Sequence, residues 1–148
     1  MKALKFLLLL LVAGSTLFFA NCGGGGGEES AEDQKRALLV NNSPWTVSSV
    51  SVPEGSATDA PEWNNFTVSF TNTNMTTSSP ATGAGAVWPS TTWSFTSDLN
   101  GIVRGDGVTM SINTLTASSL NVTFTIVDEE LGGGRVASLD GEYTFSME

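Results

Sequence analysis

Three stretches of this chain alternate apolar and hydroxyl-bearing residues with a period of two. Phe66, Val68 and Phe70 alternate with Thr67 and Ser69; Val122, Phe124 and Ile126 with Thr123 and Thr125; Tyr143, Phe145 and Met147 with Thr144 and Ser146. Successive side chains of a strand point to opposite faces, so each stretch reads as a strand with one apolar and one Thr/Ser face. Shorter strands are predicted over 45–52, 93–96, 102–104 and 108–112. In 45–52 the apolar phase changes between Val47 and Val50, which predicts a bulge. Asn100-Gly101, Gly105-Asp106-Gly107 and Gly132-Gly133-Gly134 punctuate the strands as turns. Asp140-Gly141 reads as either a further turn or a bulge within the last strand.

Seven or eight short strands with regular turns predict an all-β fold, a small antiparallel β-barrel or β-sandwich. Two stretches stand outside the pattern. Residues 28–40 are charged and compatible with a short helix, with Ser30 and Asp33 in capping-box positions. Residues 71–87, TNTNMTTSSPATGAGAV, lack periodicity and read as a long mobile loop. The organisation expected is a leader over 1–21, a flexible acidic and glycine-rich linker over 22–36 and one β domain over 37–148.

The leader reading rests on Cys22, the only cysteine. Lys2 and Lys5 precede an apolar run from Phe6 to Ala20, the layout of a secretory signal peptide. With Phe19-Ala20-Asn21-Cys22 at its end, the segment resembles a bacterial lipoprotein signal. That resemblance implies that Cys22 becomes the lipid-bearing (palmitate-type) first residue of the mature protein. It also implies the outer membrane, since Gly23, and not an Asp, follows the cysteine. Gly23 to Gly27 form a pentaglycine tether. More than one acyl chain makes such an anchor stable without a basic patch, because each buried CH₂ contributes only about 0.8 kcal/mol.

Charge narrows the partners. Cleavage before Cys22 removes two lysines and no acid, leaving four basic residues against fifteen acidic ones, a formal net charge of −11. Nucleic acid and anionic lipid surfaces require a basic face, so neither is expected as a partner. A lipidated Cys22 leaves no disulfide within the chain. There is no histidine, which removes the commonest general base and the commonest transition-metal ligand. No cofactor, no metal and no catalytic residue is expected, and the chain is read as a non-enzyme.

The blocks EWNNFTVSF at 62–70, VWPSTTWSF at 87–95, IVRGDGVTMSI at 102–112, SLNVTFTI at 119–126 and GGRVASLDGEYTFSM at 133–147 follow one another. Together they resemble the small lipocalin-like lipoproteins of Gram-negative bacteria. The resemblance implies a compact antiparallel barrel and, at most, a small apolar ligand.

Few residues offer chemistry. Asp98, Asn100 and Asp106 group oxygen atoms around two turns, but without EF-hand spacing they read as turn chemistry. Asp128-Glu129-Glu130 reads as a solvated loop tip. Arg104 is expected to pair locally with Asp106. Trp45 and Trp93 lie on strands and belong to the core. Trp63 and Trp88 follow loops and are the candidate ligand contacts, with Trp88 expected to be partly exposed at the mouth beneath the 71–87 loop. The function expected is an outer-membrane-anchored lipoprotein with a non-enzymatic binding or structural role in the cell envelope. The alternatives are a lipocalin-like carrier of a small apolar ligand and, more weakly, a glycan-binding surface module.

Overall fold

The computed structural model describes residues 29–56, 58, 60–78, 87–127 and 139–148. Eight strands, β1 (Trp45–Ser51), β2 (Thr67–Phe70), β3 (Asn74–Thr77), β4 (Thr91–Phe95), β5 (Gly101–Arg104), β6 (Thr109–Leu115), β7 (Leu120–Ile126) and β8 (Gly141–Met147), pair in sequence order. Every pairing is antiparallel, and β8 returns to β1 to close a barrel. Closure decides between the two architectures the sequence leaves open: the fold is a barrel, not a sandwich.

The alternation explains the interior. Phe66, Val68, Phe70, Leu120, Val122, Phe124, Tyr143, Phe145 and Met147 are all buried. The intervening Thr and Ser side chains form the outer wall, which is the inverse of a lipid-facing barrel with its apolar exterior. Phe124 sits opposite Tyr143 across β7 and β8, with rings stacked at 5.8 Å and 18°. Phe145 is parallel to Phe124 at 5.7 Å and 4°. The bulge in β1 lies where the phase change places it, with the register shifting between Val47 and Ser49. The extra residue lets Val47 and Val50 both pack against the core. Gly141 is the first residue of β8, paired with Ile126 at φ +127°, so Asp140-Gly141 enters that strand and does not interrupt it.

Two segments depart from the sequence reading. Residues 74–77, expected within a loop, form β3, which bridges β2 and β4. Its four residues carry one inward apolar side chain, Met75, paired with Phe70. A single apolar residue cannot display a period, and the ladder on both sides supplies what local pattern lacks. Residues 79–86 of the expected loop lie outside the described residues.

The second departure is the linker. Helix α1 (Ala31–Asn41) takes in six residues assigned to the linker, 31–36, and packs Leu39 into the barrel core. Ser30 caps it as its spacing suggests: its Oγ accepts from the Asp33 N–H at 3.1 Å and donates to Asp33 Oδ2 at 2.7 Å.

Strand connections alternate between barrel ends, so those after β2, β4 and β6 share one end. Helix α1 closes that end. Lys35 Nζ donates to the Leu99 carbonyl at 2.6 Å, and Arg36 donates to the Asn72 carbonyl at 2.5 Å. The Arg36 guanidinium lies 4.8 Å from the Trp93 ring centroid. Leu39 is fully buried, and its carbonyl accepts from Trp45 Nε1 and Ser43 Oγ, both at 2.9 Å.

Candidate functional site

The other end carries the connections after β1, β3, β5 and β7. Here the chain folds into its own barrel. A 3-10 turn (Ala60–Trp63) turns Trp63 inward, edge-on to Phe66 at 5.1 Å and to Phe145 at 4.8 Å. Trp88, just before β4, meets Phe124 at 5.4 Å and Phe145 at 5.0 Å, again edge-on. Its Nε1 donates to Met75 Sδ at 3.0 Å. These edge-to-face arrangements match the ring quadrupoles.

The two tryptophans named from sequence therefore come together against shared neighbours, Phe66 and Phe145. Their placement corrects the expectation for Trp88, which is 0% exposed and not partly open at a mouth. Trp63 is also 0% exposed. At that value no water-sized void touches either indole. A barrel of this strand number is either filled by side chains or holds one small ligand, and here two loop-borne indoles occupy the centre.

Arg104 secures this arrangement. It is 2% exposed, with its guanidinium 5.3 Å from the Phe124 centroid. Nη1 donates to the Val87 carbonyl at 2.9 Å, beside Trp88, while Nε donates to Asp106 Oδ1 at 3.0 Å and Nη2 pairs with Asp106 Oδ2. The Asp106 pairing is as expected from sequence; the grip on Val87 is not. Arg104 alternates with buried Ile102 across Val103, so the strand period already pointed it inward. Tyr143 closes the same end, donating to the Leu139 carbonyl at 2.9 Å with Ser56 Oγ also at 2.9 Å. Among the described residues, the buried Glu62 Oε2 and Trp63 Nε1 have no hydrogen-bond partner.

Asp98 behaves as turn chemistry. Its Oδ1 accepts from Thr96 Oγ1 at 2.5 Å and from the Asn100 N–H at 3.1 Å. The Thr96 hydroxyl, then the Asn100 amide, hold its carboxyl below the ordinary value of 3.8. A depressed folded value means the stabilising bonds are present above the unfolded value and are lost as pH falls through the folded one. A carboxyl-carbon NMR titration is expected to show a midpoint for Asp98 below 3.8 that rises in Thr96→Val; identical midpoints would remove the hydroxyl as the cause. Among the described residues no group of three acidic, histidine or cysteine side chains is placed to hold a metal ion. Cys22 and Asp128-Glu129-Glu130 lie outside the described residues.

Fold and site together define a class: a closed, up-and-down, eight-stranded barrel capped by a helix at one end and packed by its own tryptophans at the other. No family model, curated protein or solved structure matches the chain.

Proposed function

We propose that the chain is an outer-membrane-anchored lipoprotein with a non-enzymatic binding or structural role in the cell envelope. The observation that carries the non-carrier part of this reading is the filled barrel. Trp63 and Trp88 occupy the space in which a carrier would hold a small apolar ligand. The same burial withholds both indoles from stacking on sugar rings. The up-and-down barrel order agrees with a place among lipocalin-like lipoproteins. The anchor rests on the signal-peptide layout ending at Cys22. With α1 starting at Ala31, nine residues from Cys22 to Ser30 join lipid to barrel, a reach of at most about 3.6 Å per residue.

Two measurements test the two parts separately. Cys22→Ala is expected to abolish incorporation of an alkyne fatty-acid probe and to leave an uncleaved precursor; equal labelling of mutant and wild type refutes the anchor. A panel of fluorescent fatty acids is expected to show no saturable binding at micromolar protein. Saturable binding that quenches the buried tryptophans refutes the filled barrel and favours the carrier.

A further inference from the structure

The four tryptophans are not held alike. The N–H groups of three are committed: Trp45 Nε1 donates to the Leu39 carbonyl at 2.9 Å, Trp88 Nε1 to Met75 Sδ at 3.0 Å and Trp93 Nε1 to the Thr71 carbonyl at 2.9 Å. Among the described residues, Trp63 Nε1 is buried with no acceptor, and on the residue before it the buried Glu62 Oε2 has no donor. A buried polar group without a partner keeps its full desolvation cost. Native proteins leave few such groups, and each calls for a physical reason. Here two sit on adjacent residues of one short 3-10 turn, Ala60–Trp63.

Little besides the indole attaches this turn to the barrel. Of residues 60–65 only Trp63 is buried. The bonds around it are local: the Asn64 N–H donates to the Pro61 carbonyl at 3.2 Å and the Phe66 N–H to the Trp63 carbonyl at 3.1 Å. Among the described residues, the first bond to a strand comes only at Phe66, whose carbonyl accepts from the Val47 N–H at 2.9 Å. A groove of about 310 Å³ separates Val47 to Val50 of β1 from Ala60, Pro61 and Asn64, so that face of the turn is not packed against the strand. Asn65 follows at φ +65°, a left-handed backbone that Asn tolerates. Trp88 is held quite differently. Its carbonyl accepts from Thr77 Oγ1 at 3.2 Å, and Arg104 grips the carbonyl of Val87 just before it at 2.9 Å.

We propose that Trp63 is a hinged plug: residues 60–65 swing about Asn65 and carry the indole out of the barrel while the eight strands and Trp88 stay in place. Leaving returns Trp63 Nε1 and Glu62 Oε2 to water, which offsets part of the cost of exposing the indole. The open form bares Phe66 and Phe145 at the end remote from α1, with Trp88 as the floor. Segments with few buried contacts open locally at a lower free energy than the whole fold. This motion goes beyond the binding role proposed above; it leaves the closed, filled barrel as the ground state and makes no use of the lipid anchor.

The test uses the full-length protein in detergent micelles. Exchange of the indole N–H signals into deuterated water is followed by NMR at several sub-denaturing urea concentrations. The Trp63 signal is expected to exchange at least about tenfold faster than that of Trp88, at a rate nearly independent of urea, because a local opening exposes little surface. A bulky probe separates opening of the plug from penetration of water. A nitrobenzyl bromide reagent specific for tryptophan, with the modified residue located by peptide mass spectrometry, is expected to label Trp63 at least about tenfold faster than Trp88. Glu62→Met, which removes the orphaned carboxylate at similar volume, is expected to slow Trp63 exchange by about tenfold. Equal rates for Trp63 and Trp88 with the same urea dependence overturn the proposal, since both indoles then wait for global unfolding. Fast exchange of Trp63 without its labelling overturns it too, as does an unchanged exchange rate in Glu62→Met. The fatty-acid measurements stand apart from each of these outcomes.

Discussion

Trp88→Ala is expected to destabilise the barrel by about 3–5 kcal/mol, the range for truncating a fully buried aromatic. The indole is enclosed by Phe66, Phe124 and Phe145, and its N–H is committed to Met75 Sδ. A Trp88 partly exposed at the mouth, as the sequence reading has it, would cost little on truncation; its full burial reverses that expectation. The measurement is urea unfolding followed by far-ultraviolet circular dichroism, which does not depend on the tryptophan removed. A loss below about 1 kcal/mol would place Trp88 at the surface and reopen the barrel to a ligand. Trp63→Ala should be costly too. Since both indoles rest on Phe66 and Phe145, the double mutant should depart from additivity.

Arg104→Ala is expected to cost about 3 kcal/mol, combining an orphaned buried carbonyl at Val87 with the lost packing of the side chain. Asp106 is about one-third exposed and regains water when its partner goes, so its share of the loss is small. Arg104→Lys should recover little. One ammonium cannot grip both Asp106 oxygens and the Val87 carbonyl together, as the planar guanidinium does. Equal stability of Arg104→Lys and wild type would show that only the charge matters. Stability of Arg104→Ala within about 0.5 kcal/mol of wild type would show that the Val87 contact is inert.

How far the fold can be read from the chain depends on how many apolar residues a segment repeats. β7 and β8 each show three in alternation, and the inward set follows directly. The β1 bulge was legible because Val47 and Val50 are out of phase by one residue. β3 was not, since Met75 alone cannot announce a face. The start of α1 was hidden differently. Its capping signal at Ser30 and Asp33 was visible, but its hold on the barrel comes from Lys35 and Arg36 reaching carbonyls at Leu99 and Asn72, far along the chain. At the candidate site, alternation pointed Arg104 inward. Nothing near it in sequence marked Val87 as the group it would hold.

The amino-acid sequence by itself determined the faces of the alternating strands, the turns at Asn100-Gly101 and Gly105-Asp106-Gly107, and the acidic character. These follow from residue type and spacing, which act over a few positions along the chain. Only the tertiary structure decided that the sheet closes, that α1 seals one end and that Trp63 and Trp88 fill the centre. Closure depends on β1 meeting β8 across most of the chain. Once the wall is closed, burying two indoles among Phe66, Phe124 and Phe145 removes more apolar surface from water than leaving them at a rim. That balance is set by the volume the eight strands enclose, which is a property of their assembly and of no single segment.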